Sequence, residues 1–239
     1  IELQDFKFNG VIDYREYEEK FGELCRKNEL LKSPYSEIQA IIYTKASTFI
    51  PYPFFVENEA ENLLKVGHEL QEFDKIVFDP VPSCNSVNIY AVPFFLLEGL
   101  KAIFPGITIH HTSTVLVNNV FNFLSKAEGC TMVVNVEPDH FELVVIENNK
   151  LLFYNTFRNE TSEDFLYFVL YTIEQLHFNA EHVNVILSGQ IEQNSLLHNV
   201  LKQYIRNISF APRNTNVEYG PAFAELENQF YFNLLNASF

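Results

Sequence analysis

Residues 131–189 read TMVVNVEPDHFELVVIENNKLLFYNTFRNETSEDFLYFVLYTIEQLHFNAEHVNVILSG. Three runs rich in β-branched and apolar residues, Thr131–Glu137, His140–Glu147 and Leu151–Phe157, predict three strands. Asn148–Asn149 joins the second and third as a two-residue hairpin, because asparagine tolerates the positive φ such a turn requires. A helix is expected over Glu163–Leu176, with Thr161 and Asp164 as its capping box. A fourth strand, Val183–Leu187, then runs straight into Ser188–Gly189. Strand, strand, strand, helix, strand and a terminal glycine make one complete α/β unit.

Working outward, Leu197, Val200, Leu201, Tyr204 and Ile205 predict an amphipathic helix after this unit. Ile208–Ala211 is a short strand, and the aromatic tail (Phe223, Phe230, Tyr231, Phe232, Phe239) is expected to pack on the body. Upstream, Phe6, Phe8 and Val11 flank the turn residues Asn9–Gly10 in a strand-like opening. A charged helix is expected from Tyr14 to Leu31, with Tyr17, Phe21, Leu24 and Cys25 on one face, stopped by Ser33–Pro34. Ile38–Tyr43 reads as a buried strand and Thr48–Pro53 as extended chain. Glu57–Leu70 reads as a helix, and Lys75–Asp79 and Val87–Ala91 as paired strands around the loop Pro80–Ser86. Pro93 opens a helix lined by Phe94, Leu97, Leu100 and Ala102–Ile103 and ended by Pro105–Gly106. Ile107–His111 is a strand, and Thr114–Lys126 a helix capped by Ser113. The boundary between two halves falls near Ser125–Gly129, giving an N-terminal lobe over 1–127 and a C-terminal lobe over 128–239.

Composition narrows the possible roles. The 239 residues are 47% hydrophobic and 20% charged, enough apolar content for a sizeable core. Twenty-four Phe and 12 Tyr with no Trp suit sheets covered by helices. Sixteen basic against 31 acidic residues give a net charge of −15, which repels nucleic-acid backbones and anionic membranes. The acids are scattered, with local runs at Glu57, Glu59 and Glu61 and at Glu160, Glu163 and Asp164. They read as a solvated surface, or as a docking site for a basic partner. Cys25, Cys84 and Cys130 form no C-x-x-C pair, the pattern of reduced thiols in a cytoplasm. The longest apolar run, Phe165–Tyr171, is far short of the roughly 20 residues of a spanning helix, so no membrane insertion is expected. No signal-peptide pattern opens the chain. Residue 1 is Ile rather than Met, so a short preceding piece is expected.

The order of elements over 131–189, and the text Val134–Asn135–Val136–Glu137, Phe141–Glu142–Leu143–Val144–Val145–Ile146, Lys150–Leu151–Leu152–Phe153 and Ile186–Leu187–Ser188–Gly189, resemble an uncharacterised Bacteroidetes domain family with the actin-like ATPase fold. Asn85–Ser86–Val87–Asn88–Ile89–Tyr90–Ala91–Val92, Ile109–His110–His111 and Tyr204–Ile205–Arg206–Asn207–Ile208 extend the resemblance over nearly the whole chain. Its layout is similar to that of the cytoplasmic actin-like proteins of type IV pilus and type II secretion machines. The resemblance implies an α/β protein of two RNase H-like lobes, each a mixed sheet with helices. It supplies no reaction.

Actin-like ATPases hold phosphate with hairpins of the form D-x-G-x-x-[ST]: the Asp orders the metal's water shell, the Gly opens backbone amides to phosphate, and the hydroxyl adds a donor. Carried onto this chain, Asn135 stands at the Asp position, Glu137 at the Gly, and Phe141 close to the hydroxyl, while Pro138 removes an amide donor. Glu137 puts a carboxylate where phosphate would lie. Two like charges ~4 Å apart repel by about 4 kcal/mol at an effective dielectric of ~20, roughly three decades of affinity. Asp139 could hold a metal instead, against its reading as a solvated turn residue. Of the paired glycines of an adenosine motif Gly189 survives, whereas Gln190 would crowd a base. No D-x-G occurs in the chain. The candidate vestigial cleft residues are Asn135, Glu137, Asp139, Ser188 and Gly189. No catalytic residue, metal ligand or cofactor is expected.

Other constellations read as structural. His110 and His111 alternate across a strand and point to opposite faces. His140 lies near Asp139 and Glu137, either as an acid/base or metal trio or as polar residues at the hairpin's start. Ser188 has no histidine placed to activate it, and Cys84 has no adjoining cation to lower its pKa. Tyr52–Pro53–Phe54–Phe55 is a sticky surface for a partner or packs between the halves. The reading leans against an enzyme and toward a cytoplasmic, non-catalytic binding or scaffold protein with a protein partner. The alternative is a divergent nucleotide-binding protein or weak ATPase or kinase using an inter-lobe cleft.

Overall fold

The computed structural model describes residues 3–6, 14–124 and 129–237, with the side chains of 14–18 and 222 left aside. The expected turn at Asn9–Gly10, with Phe8 and Val11, lies outside the described residues, as does Phe239. Two compact units divide the chain, residues 3–114 and residues 115–239, and the division falls within the fifth helix.

The first unit opens with α1 (Tyr14–Lys27) and α2 (Glu29–Lys32) rather than one helix to Leu31. Asn28 breaks it: its backbone is extended and its side-chain oxygen accepts the Leu30 N–H, capping the second helix. The strand β1 (Gln39–Ile42) pairs in parallel with β5 (Thr108–His111). Strands β2 (Ser47–Pro51), β3 (Asp74–Val81) and β4 (Ser86–Pro93) form an antiparallel sheet in the order β2-β4-β3. β3 continues through Pro80 to Val81, past the expected loop start, because it is a sheet edge where a proline forfeits no ladder bond. The two faces of β4 feed two cores: Val87, Ile89 and Ala91 with Leu64, and Tyr90 and Val92 with Leu97 and Leu100.

Two helices differ from expectation. The predicted helix 57–70 is a 3-10 turn (Glu57–Glu59) followed by α3, Ala60–Lys65 only, which buries Ala60 and Leu64. Val66 beyond it is 87% exposed and Gly67 follows, so nothing apolar favours another turn. In α4 (Phe94–Ile103) Leu97 and Leu100 are buried, but Phe94 and Ile103 are exposed. α5 spans Thr112–Phe123 and starts before Ser113, which therefore is no cap. The Ser113 hydroxyl instead accepts from the Asn88 amide at 2.8 Å and lies 2.7 Å from His111 Nδ1. Buried Asp79 anchors the same cluster, accepting from Thr114 Oγ1 at 2.8 Å, the His111 N–H at 3.0 Å and the Tyr90 hydroxyl at 3.2 Å.

The second unit follows its sequence closely. Strands β6 (Cys130–Val136), β7 (His140–Glu147), β8 (Lys150–Arg158), β9 (Asn184–Gly189) and β10 (Asn207–Phe210) form one sheet in the order β10-β9-β6-β7-β8. The first three are antiparallel and the last two parallel, an RNase H-like arrangement. Asn148 and Asn149 take φ of 49° and 61° in the hairpin. Helix α6 (Ser162–Gln175) is capped by Thr161, whose side chain accepts from the Asp164 N–H and donates to its carboxylate at 2.7 Å. α7 (Leu196–Leu201) is shorter than its apolar spacing suggests, though Leu201 and Ile205 are both buried. In the tail, Phe223 and Phe232 are buried, the latter in α8 (Phe232–Asn236).

One face of the sheet packs Met132, Val134, Val136, Phe141 and Leu187 under Phe165, Val169 and Ile173 of α6. Phe141 and Phe165 meet edge to face with ring centroids 4.8 Å apart. Phe165→Ala should therefore cost about 3–5 kcal/mol, a fall in melting temperature on the order of 10 °C for a chain of this size. Differential scanning calorimetry checks this, and a fall of only a degree or two would contradict the packing described.

Candidate functional site

The opposite face of the same sheet carries a row of polar side chains. Register puts Ser188 of β9 beside Asn135 of β6, Asn135 beside Glu142 of β7, and Glu142 beside Thr156 of β8. Side chains directly opposite in adjacent strands lie close enough to bond. The Ser188 hydroxyl donates to Asn135 Oδ1 at 3.0 Å. The Asn135 amide donates to Glu142 Oε2 at 3.0 Å and to Glu137 Oε1 at 3.3 Å. The Tyr154 hydroxyl donates to Glu142 Oε1 at 2.7 Å and lies 3.1 Å from Thr156 Oγ1. Ser188, Asn135 and Glu142 are all 1% exposed or less.

The structure thus joins Asn135, Glu137 and Ser188, and adds Glu142, which the sequence reading passed over. Its strand alone carries no signal for it. The Glu137 N–H bonds to the His140 carbonyl across the tight turn, and the register this sets brings Asn135 against Glu142. Asp139 stands apart at the turn, its side chain 77% exposed and its carboxylate 2.7 Å from His140 Nδ1. Among the described residues no group of three or more His, Cys, Asp or Glu is placed to hold a metal ion.

Burial pushes the Glu142 carboxyl above the ordinary glutamate range, against the lowering effect of its bonds to Tyr154 and Asn135. Glu137 is pushed up by burial first and then by the charge of Glu142. Asn135 fits this pair as aspartate could not. Its amide presents donors to two acids and an acceptor to a hydroxyl, whereas a carboxylate there would add a third negative charge.

Gly189 ends β9 with φ +79°, a conformation L side chains rarely adopt. A Cβ there would run into the Val136 carbonyl oxygen. Its N–H donates to the Gln229 carbonyl at 2.9 Å, and Gln229 Nε2 donates to the Ile191 carbonyl at 2.7 Å, so the tail already holds this corner. Beside it lies an open hollow of about 470 Å³ lined by Glu160, Ser162, Gln190, Glu192 and Phe230 among others, with no Lys or Arg in its wall. Cys84 donates to the Val81 carbonyl, and burial pushes its thiol up, away from the reactive thiolate.

The chain belongs to the DUF3822 family, proteins of unknown function, whose model matches residues 2–208. No curated protein matches it significantly. Among solved structures it is similar to a protein with actin-like ATPase fold and unknown function from Bacteroides thetaiotaomicron, with 24% identity, a TM-score of 0.75, and coverage of 81% of this chain and 76% of that one. It is also similar to a PilM–PilN type IV pilus biogenesis complex, with 11% identity, a TM-score of 0.50, and coverage of 82% and 75%. These likenesses show the fold: α/β, actin-like ATPase, as the sequence implied.

Two outcomes test the polar row. Asn135→Asp should cost about 3–5 kcal/mol at neutral pH by leaving like charges buried together, and part of that loss should return on acidification. Chemical denaturation at two pH values measures it. Glu142→Gln should do the opposite. A carboxyl whose folded pKa is raised stabilises most fully below its unfolded pKa, and that stability is lost as pH rises through the folded value. The glutamine variant should therefore gain melting temperature over the natural chain at neutral pH and lose that advantage in mild acid. An equal difference at both pH values would contradict the assignment.

Proposed function

We propose that this DUF3822 protein is a non-catalytic binding or scaffold protein of the cytoplasm, in which the nucleotide site of the actin-like fold is vestigial and a protein is the ligand. The observation that carries the reading is the Glu142–Asn135–Glu137 network. A phosphate hairpin offers bare backbone amides and a metal-ordering acid. Here the hairpin offers two carboxylates bound through an asparagine amide. Phosphate approaching Glu137 would meet like charge, and Arg158, next to the hollow's Asn159, is already 3.3 Å from Glu160.

Further observations support the reading. The Gly189 N–H is spent on Gln229 of the chain itself. A net charge of −15 disfavours nucleic acid. Among the described residues no helix is long and apolar enough to cross a membrane. All three cysteines are free thiols, which suits a reducing compartment. In the similar PilM–PilN complex the partner is a protein, which makes a protein ligand the natural analogy on this fold.

The test is titration with magnesium and ATP at up to millimolar concentration, followed by isothermal calorimetry and by thermal shift. The expected result is no saturable heat and no change in melting temperature. A ligand at 100-fold over its Kd would stabilise by about 2.7 kcal/mol and be easily seen. A saturable one-to-one isotherm accompanied by a rise of several degrees would sink the scaffold reading in favour of a divergent nucleotide-binding protein.

A further inference from the structure

The apolar surface of the first unit is unevenly distributed. Between the end of β2 and the start of α3, Tyr52 is 62% exposed, Phe54 74% and Val56 54%. Three large apolar side chains within five residues, all mostly in solvent, are more than the scattered single exposures normal for a protein surface. The sequence left this segment between packing between the halves and forming a sticky surface for a partner. Tyr52 and Phe54 both point away from the core of their own unit.

The backbone beneath them is fixed. The Tyr52 N–H donates to the Asn85 carbonyl at 2.9 Å, the Phe55 N–H to Tyr52 at 3.2 Å, and the Glu59 N–H to Val56 at 2.9 Å. Two successive 3-10 turns, Tyr52–Phe54 and Glu57–Glu59, therefore carry the segment. Phe55 is the inward anchor, its ring 5.2 Å from that of Phe78, and α3 follows with Ala60 and Leu64 buried. A partner would meet aromatic groups already ordered, so little backbone entropy is lost on binding. Aromatic side chains on such a platform are what energetically dominant interface residues are made of.

Charge specifies the occupant. Glu57 and Glu59 are exposed and directly follow Val56. Among the described residues neither is in an ion pair; Glu59 accepts only from the Asn62 amide at 2.8 Å. Lys65, on the following helix, is already bound to Glu61. The segment is thus an apolar platform with unneutralised carboxylates at one end, on a chain of net charge −15.

We infer that residues 52–59 are a docking surface for a partner protein's segment that carries an apolar side chain flanked by Lys or Arg. The apolar group covers Tyr52, Phe54 and Val56, and the cations meet Glu57 and Glu59. Complementary charge steers the encounter and selects against acidic segments. This surface rests on the scaffold reading for its biological sense, but its test does not involve nucleotide, so either can fail alone.

The test is selection of a random peptide phage library on the full chain, followed by fluorescence anisotropy with synthetic versions of the enriched peptides. The comparison proteins are the Tyr52→Ala/Phe54→Ala and Glu57→Lys/Glu59→Lys double variants. All these positions are exposed, and circular dichroism melts confirm that both variants fold. The expected result is enrichment of peptides with an apolar residue beside Lys or Arg, affinity weakened about tenfold or more in each variant, and affinity that falls with added salt. No enrichment, enrichment of peptides without cations, or binding to either variant as tight as to the natural chain would overturn the inference. So would sedimentation showing a dimer of the natural chain that Phe54→Ala dissolves, because the occupant would then be a second copy.

Discussion

The amide of Asn135 is the joint on which the second unit depends. It sits on the central strand of a five-stranded sheet, with neighbours on both sides. Through one side chain it satisfies a hydroxyl on β9, the carboxylate of Glu137 just past β6, and that of Glu142 on β7. A buried acid is costly unless hydrogen-bonded, and a second acid beside it raises the cost. Buried Glu142 and half-buried Glu137 are held with a neutral donor between them. On the proposed reading, the chemistry that makes the network tolerable is also what sets it apart from a phosphate-binding hairpin, which needs open amides and room for a charged ligand.

Each unit meets the same problem, a carboxylate buried beside a sheet, with different resources. In the first, Asp79 gathers a backbone N–H and the hydroxyls of Tyr90 and Thr114 from three elements. In the second, two acids share one amide, and one of them, Glu142, also accepts from a tyrosine hydroxyl. The first arrangement surrounds the acid with donors drawn from separate elements. The second ties the strands in register, since slipping any of them by one residue would turn its polar member into the apolar core.

Most of the second unit was legible from sequence. Strand runs, the Asn148–Asn149 turn and the Thr161 cap are local signals, and local signals decide elements whose two faces are unambiguous. The first unit was harder to read. Asn28 broke a helix whose apolar spacing ran on, Pro80 stayed in an edge strand, and α3 stopped at Lys65 where no buried partner remained for Val66. The first is a local cap that competes with the apolar spacing, and the other two depend on what the neighbouring elements leave to pair or pack against. The site divided along the same line. Asn135, Glu137 and Gly189 stood out by departure from a pattern, whereas Glu142, in a run that reads as plain β-strand, acquires meaning only once strands are set side by side.

Gln229 has a practical bearing on how the chain can be shortened. It is 2% exposed and grips the end of β9 twice, once through its carbonyl and once through its side-chain amide. A truncation that removes it strands the Gly189 donor and the Ile191 acceptor together. The aromatic C-terminal stretch is therefore a keystone of the domain and not a trimmable extension, and a domain boundary drawn at the last strand would yield an incomplete fold.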